Sequence, residues 1–235
     1  MQVVSTNVAV RRPDPSGRHE FSGIDKKPQD FIDLAAPGPH YGDGSGVRGD
    51  IIGDTQHHGG NDKAVYAYSR EELDYWQSEL SRPLASGSFG ENLTTQGIDL
   101  SALLINQRVR IGTAVLEVSV PRQPCATFSG WLGERGWLKR WTARGDCGTY
   151  LRIISPAAFA PATPLSWITH PATASPCAWP LPPRWATAPL PGALSMLAAC
   201  PLTNRTRFAP SYTRAHSPPS MSPLFRPHSM SPNIR

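Results

Sequence analysis

The chain has 235 residues and a formal net charge of +5, but all 18 acidic and 17 of the 23 basic residues lie in residues 1–154, while residues 155–235 hold six arginines, no lysine and no acid. The basic excess therefore belongs to the C-terminal stretch, which argues against a nucleic-acid-binding face on the first part. No apolar run reaches the roughly 18 residues of a membrane span, and the N-terminus lacks the charged start and apolar core of a signal peptide. The four cysteines, Cys125, Cys147, Cys177 and Cys200, have no paired spacing, so a reducing, cytoplasmic setting is expected.

Residues 1–154 are long enough for one domain with its own core. Residues 3–10 alternate loosely as a first strand, and Pro13, Pro15 and Gly17 mark a turn-rich link. Ile32 and Leu34 read as a short strand. Residues 37–49 form a loop with five glycines. No Gly-Lys-Ser/Thr follows them, so this is not a phosphate-binding P-loop. Asp50-Ile51-Ile52-Gly53-Asp54 then leads into Thr55-Gln56-His57-His58-Gly59-Gly60-Asn61-Asp62-Lys63. Glycines let the main chain approach a ligand, and His and Lys offer donors for anionic oxygens. A polar hairpin loop is the alternative. Adjacent histidines on extended chain point to opposite faces, which argues against both binding one metal ion.

A strand is expected over residues 64–68. Ser69 caps the helix that follows, with Glu72 in the capping-box position and Leu73, Trp76 and Leu80 as its apolar stripe. Arg82-Pro83 ends it. The loop Gly87-Ser88-Phe89-Gly90-Glu91-Asn92-Leu93-Thr94-Thr95 is dense in donors and acceptors and runs into a strand. It suits a polar heterocycle, or it is a tight turn with Asn92 bonding its own backbone. Residues 107–112 form a short strand and turn.

Val115-Leu116-Glu117-Val118-Ser119-Val120 is the central strand, which Pro121 stops and Pro124 follows on a stiff turn before Cys125. A thiol so restrained suits a soft-metal ligand or a nucleophile, both of which act as the thiolate. A free cysteine titrates near 8.5, and Arg122 would raise the thiolate fraction if it turns the same way. A buried structural cysteine is the other reading. Residues 128–141 read as a helix interrupted by glycines, whose aromatics Phe128, Trp131, Trp137 and Trp141 pack on the sheet. Cys147 lies in a glycine turn and is given no metal role. Residues 149–154 form a last strand. Many short strands with few helices predict a mainly β chain whose sheet closes into a barrel.

Three blocks resemble the MOSC family, the molybdenum-cofactor sulfurase C-terminal domain: His57-His58-Gly59-Gly60 with Asp62-Lys63-Ala64, the loop from Gly87 to Thr95, and Pro121-Arg122-Gln123-Pro124-Cys125. Their order and spacing resemble most the bacterial members that protect against hydroxylaminopurine, over roughly residues 20–154. The resemblance implies a MOSC-type β-barrel in residues 1–154 that binds a molybdenum cofactor of the molybdopterin type, and no pyridoxal phosphate. Cys125 would be the metal's protein ligand and the catalytic residue, since thiolate sulfur suits a soft metal. His58, Lys63 and Arg122 are expected at the pterin phosphate with the backbone amides of Gly59 and Gly90. Asn92 and Thr94 are expected at the pterin ring edges, and His57, Phe89 and Glu91 in the same cofactor-binding set. The implied reaction is two-electron reduction of a small N-hydroxylated compound to the amine, with electrons from a separate donor protein. The alternatives are a cofactor or sulfur carrier that reduces nothing, or an inactive remnant. A homodimer is left open.

Residues 155–235 depart from that family, whose members of this group continue into acidic, helix-forming sequence. Here 17 of the 25 prolines and only one of the 20 glycines fall in this stretch. Prolines at that density break helices, and acid-free sequence of this kind need not form a core. A disordered tail is expected, read out of frame from a GC-rich gene near codon 155. A genuine basic tail for an acidic partner is the alternative.

Overall fold

The computed structural model describes residues 1–168. The expected disorder and frame error from residue 169 onward lie outside the described residues. The strands are β1 (Gln2–Ala9), β2 (Arg12–Pro13), β3 (Phe21–Ser22), β4 (Lys26–Gln29), β5 (Ile32–Asp33), β6 (Val65–Ser69), β7 (Leu93–Gln96), β8 (Arg108–Ile111), β9 (Ala114–Pro121), β10 (Thr149–Ser155), β11 (Ala158–Phe159) and β12 (Leu165–Ile168). The helices are α1 (Arg70–Leu80), α2 (Ala126–Leu132) and α3 (Trp137–Arg144). A single turn of 3-10 helix, Asn61–Lys63, precedes β6.

Eight strands form one sheet in the order β12-β8-β9-β10-β6-β7-β1-β4. Every ladder is antiparallel except β6 with β7, which α1 joins by a crossover, the connection a parallel pair requires. The chain is mainly β, as expected. The sheet, however, does not close into a barrel. Its ends are β12 and β4, and beyond them one isolated bridge joins Gln2 to Pro164. Three backbone bonds flank that bridge, from Val3 to Thr163, from Leu165 to Met1 and from Ala162 to Val3. On the same flank of β1, β4 takes the edge from Thr6 to Ala9.

β6 shows how the sheet makes two cores. Val65 and Ala67 enter an aliphatic cluster with Val3, Leu93, Leu116 and Leu151. Tyr66 and Tyr68 enter an aromatic cluster with Trp76, Phe89, Phe128, Trp137 and Trp141. A strand buried on both faces sends alternate side chains each way. The aromatic cluster packs by edges: Phe128 lies 5.4 Å from Trp137 and 5.1 Å from Trp141 between centroids, at steep interplanar angles. The interrupted helix is two helices. Gly133 (φ 68°) caps α2 and Gly136 (φ 71°) starts α3, both left-handed, conformations that favour glycine.

The change of composition at residue 155 is not where the sheet stops. β11 pairs with β5 and β12 pairs with β8, and Phe159 and Leu165 are buried in the aliphatic cluster. Acid-free sequence still supplies apolar side chains at alternate positions, and a waiting strand edge needs nothing more. Among the described residues no helix is long and apolar enough to cross a membrane.

Candidate functional site

β9 delivers Pro121 to the end of the sheet, and the turn after it leaves Cys125 in extended backbone (φ −136°, ψ 162°) just before α2. Its thiol is partly exposed. It lines one cleft with His58, Gly59 and Lys63 from the glycine-histidine turn, Gly90 and Asn92 from the loop before β7, and Arg122. Three segments far apart in the chain therefore face a common hollow.

Arg122 is buried, at 4% exposure. One guanidinium nitrogen, Nη1, donates to the Phe89 carbonyl, and the group lies 4.3 Å from the Phe128 ring centroid and 4.7 Å from that of Tyr66. Its Nε has no hydrogen-bond partner among the described residues. Burial works against its charge, but the phenols of Tyr66 and Tyr150 and the Cys125 thiol more than offset this, and its pKa is raised. Lys63 donates from Nζ to the His57 carbonyl at 2.6 Å. Burial lowers its pKa, against the pull of Asp54 and Cys125. His58 is pulled down to about 4 by burial and by the charges of Lys63 and Arg122, although its Nδ1 lies 3.5 Å from Asp54. At neutral pH the cleft thus holds a neutral imidazole alongside Lys63, Arg122 and the Cys125 sulfur.

Four expected residues stand outside the cleft. His57 points outward with its side chain 69% exposed, its Nδ1 held by Asp54 at 3.0 Å. Phe89 is sealed in the aromatic cluster. Glu91 is fully buried and accepts from the Gly87 and Phe89 amides and from the Thr94 hydroxyl. Thr94 in turn accepts from Asn7 Nδ2 at 3.1 Å. These groups build the loop, while Gly90 and Asn92, in the alternate positions, reach the cleft wall. Asn92 is itself engaged: Oδ1 accepts from the Tyr66 amide, and Nδ2 donates to the Asn7 carbonyl and to Asp50.

The sequence reading missed several wall residues. Lys26 and Asp50 form a buried pair on the cleft, with Nζ 2.6 Å from each carboxylate oxygen. Asp50 also accepts from the Ala9 amide, Ser45 and Asn92. Asp54 meets His19 at 3.7 Å as well as His57 and His58. Tyr66 and Tyr150 complete the wall. The acids flanking Ile51-Ile52-Gly53 were the available signal for Asp50 and Asp54. Among the described residues no group of three or more His, Cys, Asp or Glu side chains could hold a metal ion, so the cleft offers one sulfur and not a metal cage.

An open, mostly antiparallel sheet carrying a cysteine in a cleft of mixed charge is the class of protein this geometry defines. Residues 54–162 match the family model of the MOSC domain. The chain is 35% identical over 122 residues to YflK of Bacillus subtilis, covering 52% of this chain and 55% of that protein. It is 31% identical over 122 residues to a Gibberella moniliformis protein named Reductase, covering 50% of this chain and 21% of that one. The crystal structure of YiiM from Geobacillus stearothermophilus superimposes with a TM-score of 0.58 at 27% identity, over 75% of this chain and 79% of that one. The chain spans about half the length of the bacterial relatives it matches in sequence. Over residues 54–162, then, the chain is similar to the MOSC domain.

Proposed function

We propose that the cleft binds a molybdenum pterin cofactor through Cys125 and that the protein reduces N-hydroxylated compounds to amines. The observation that carries this is the meeting of the Cys125 sulfur with Lys63 and Arg122 in one cleft. The donor set fits such a group. A thiolate suits a soft metal that also takes dithiolene sulfur. Two cations, one with a buried Nε left without a partner, suit an anionic phosphate. His58, neutral here, can accept or donate a hydrogen bond without adding charge. Asn92 and Asp50 hold the floor rigid, since their polar atoms are already bonded.

When bound, the cofactor would supply the two-electron redox chemistry, fed by a separate donor protein. The net change is R–NHOH + 2e⁻ + 2H⁺ → R–NH2 + H2O. The relative named Reductase lends support to a redox role.

The test is metal analysis of the purified full chain and of Cys125→Ala, followed by a reduction assay with an artificial electron donor. Molybdenum near one equivalent in the wild type, lost in Cys125→Ala, together with amine formation, is the expected result. Equal molybdenum in both proteins, or none in either after maturation in a cofactor-producing host, refutes the reading. Metal retention without amine formation leaves a carrier.

A further inference from the structure

The cleft wall contains a tyrosine hydroxyl that the fold does not use. Tyr66 and Tyr68 on β6 both spend theirs on backbone: Tyr66 donates to the Cys147 carbonyl at 2.8 Å and Tyr68 to the Asp146 carbonyl at 3.3 Å. Tyr150 sits opposite Tyr66 in the β10–β6 register, with ring centroids 5.1 Å apart. It is only 8% exposed and lines the cleft beside Cys125. Among the described residues no group hydrogen-bonds its hydroxyl, and that oxygen is not one of the sealed, unpartnered polar atoms.

A tyrosine with a buried ring usually keeps its hydroxyl against a hydrogen-bond partner or open to water. The indole N–H groups of Trp76, Trp137 and Trp141 also lack partners, but they are sealed within the aromatic cluster. Tyr150 stands where a bound molecule can reach it. The Lys63 ammonium lies 5.7 Å from its ring centroid. Burial pushes its phenol up to about 12, against the pull of Arg122, so at neutral pH it is a donor.

We propose that Tyr150 is a ligand-binding residue whose hydroxyl donates a hydrogen bond to an oxygen of the molecule seated beside Cys125. Lys63 and Arg122 supply positive charge to the same oxygen-bearing group. The ligand class is one that presents an acceptor oxygen, whether a phosphate-type oxyanion or an N-hydroxyl. An amine lacks that oxygen, so this contact favours an N-hydroxylated substrate over its product. The inference rests on the proposed function for the identity of the ligand and not for the contact itself.

The test is calorimetric titration of the metal-free full chain with inorganic phosphate, an N-hydroxylated purine and the matching aminopurine. The proteins are wild type, Tyr150→Phe and, as a control outside the cleft, Tyr68→Phe. Tyr150→Phe is expected to bind phosphate or the N-hydroxylated purine about tenfold more weakly, the worth of one good hydrogen bond. Its affinity for the aminopurine stays unchanged. Loss in the phosphate arm assigns the contact to an oxyanion, and loss in the purine arm to the N-hydroxyl. Tyr150→Phe should melt within about 2 °C of wild type, because no bond within the protein is lost. Tyr68→Phe should melt lower with unchanged affinities. Equal affinities of wild type and Tyr150→Phe in both arms, including no binding by either, overturn the inference. So does a Tyr150→Phe melting temperature lowered as far as that of Tyr68→Phe. If wild type retains molybdenum through Cys125 and the affinities are equal, the inference fails while the proposed function stands. Discriminating affinities without metal retention mean the reverse.

Discussion

Replacing Lys26 by methionine removes one charge from a pair sealed on both sides. The Lys26 and Asp50 side chains are 7% and 4% exposed, with Nζ 2.6 Å from a carboxylate oxygen. In Lys26→Met, Asp50 keeps the Ala9 amide, Ser45 and Asn92 as donors but loses its counter-charge. Breaking one side of a buried pair costs about 3–5 kcal/mol. Three surviving hydrogen bonds put the expected loss at the lower end, about 3 kcal/mol, against a total stability of about 5–15 kcal/mol. In the wild type, burial pushes the Asp50 pKa up and Lys26 more than offsets it, leaving the pKa lowered. Its contribution is therefore present above the unfolded carboxylate value and lost as pH falls through the folded one. Without Lys26, burial prevails and Asp50 takes a proton in weak acid, so the deficit should narrow between pH 7 and pH 5. Urea unfolding at both values measures this. Adding Asp50→Asn should recover part of the loss. A deficit below about 1 kcal/mol at pH 7, or one unchanged at pH 5 and unrelieved by Asp50→Asn, would show that the pair is not the tie described.

His58, depressed from 6.5 to about 4, binds its proton more readily in the unfolded chain; stability should fall between those two pH values and be level above them. In His58→Asn the urea midpoint should lose this part of its pH dependence; parallel curves would refute it. Asp146 is raised from 3.8 to about 6 by burial and by Glu72, so its contribution is present below 3.8 and lost as pH rises through 6. Asp146→Asn should stabilise at pH 7.5 by on the order of 1 kcal/mol and change little near pH 4, as read by denaturant midpoints. A chain ended after Ser155 loses buried Phe159 and Leu165, about 3–6 kcal/mol of apolar burial, and should unfold in less urea than one ended after Ile168; equal midpoints would refute this.

The local structure was legible because local rules govern it. Ser69 caps α1 by accepting from the Glu72 amide at 3.2 Å, and Leu73 and Trp76 face inward. The second half of the expected capping box was not realised. The Glu72 carboxylate instead meets Arg144, 3.0 Å away on α3, and an ion pair across 72 residues leaves no mark on the helix sequence. Sheet closure was illegible for a related reason. It depends on two edges meeting in register, which strand propensity does not encode; here they touch only around the isolated Gln2–Pro164 bridge.

In the site, residue types were readable but their facing was not. A loop as polar as Gly87 to Thr95 looks the same whether its groups serve a ligand or each other. Burial decides between these: the Glu91 carboxylate, fully enclosed, is satisfied by two amides and a hydroxyl of its own loop and has nothing left to offer. The same sorting separates Asp50 from Asp54, two acids four residues apart in one segment. Asp50 is sealed with Lys26, while Asp54 stays partly exposed among three histidines. Both are pulled down in pKa, one against heavy desolvation by the Lys26 ammonium with the Asn92 and Ala9 donors, the other by the neighbouring imidazoles. Asp50 therefore acts as a fixed strut for the cleft floor, and Asp54 as a partly exposed charge at its rim. Which acid takes which part follows from where β1 and β4 pass beneath the segment, and that is settled by strand pairing outside the segment itself.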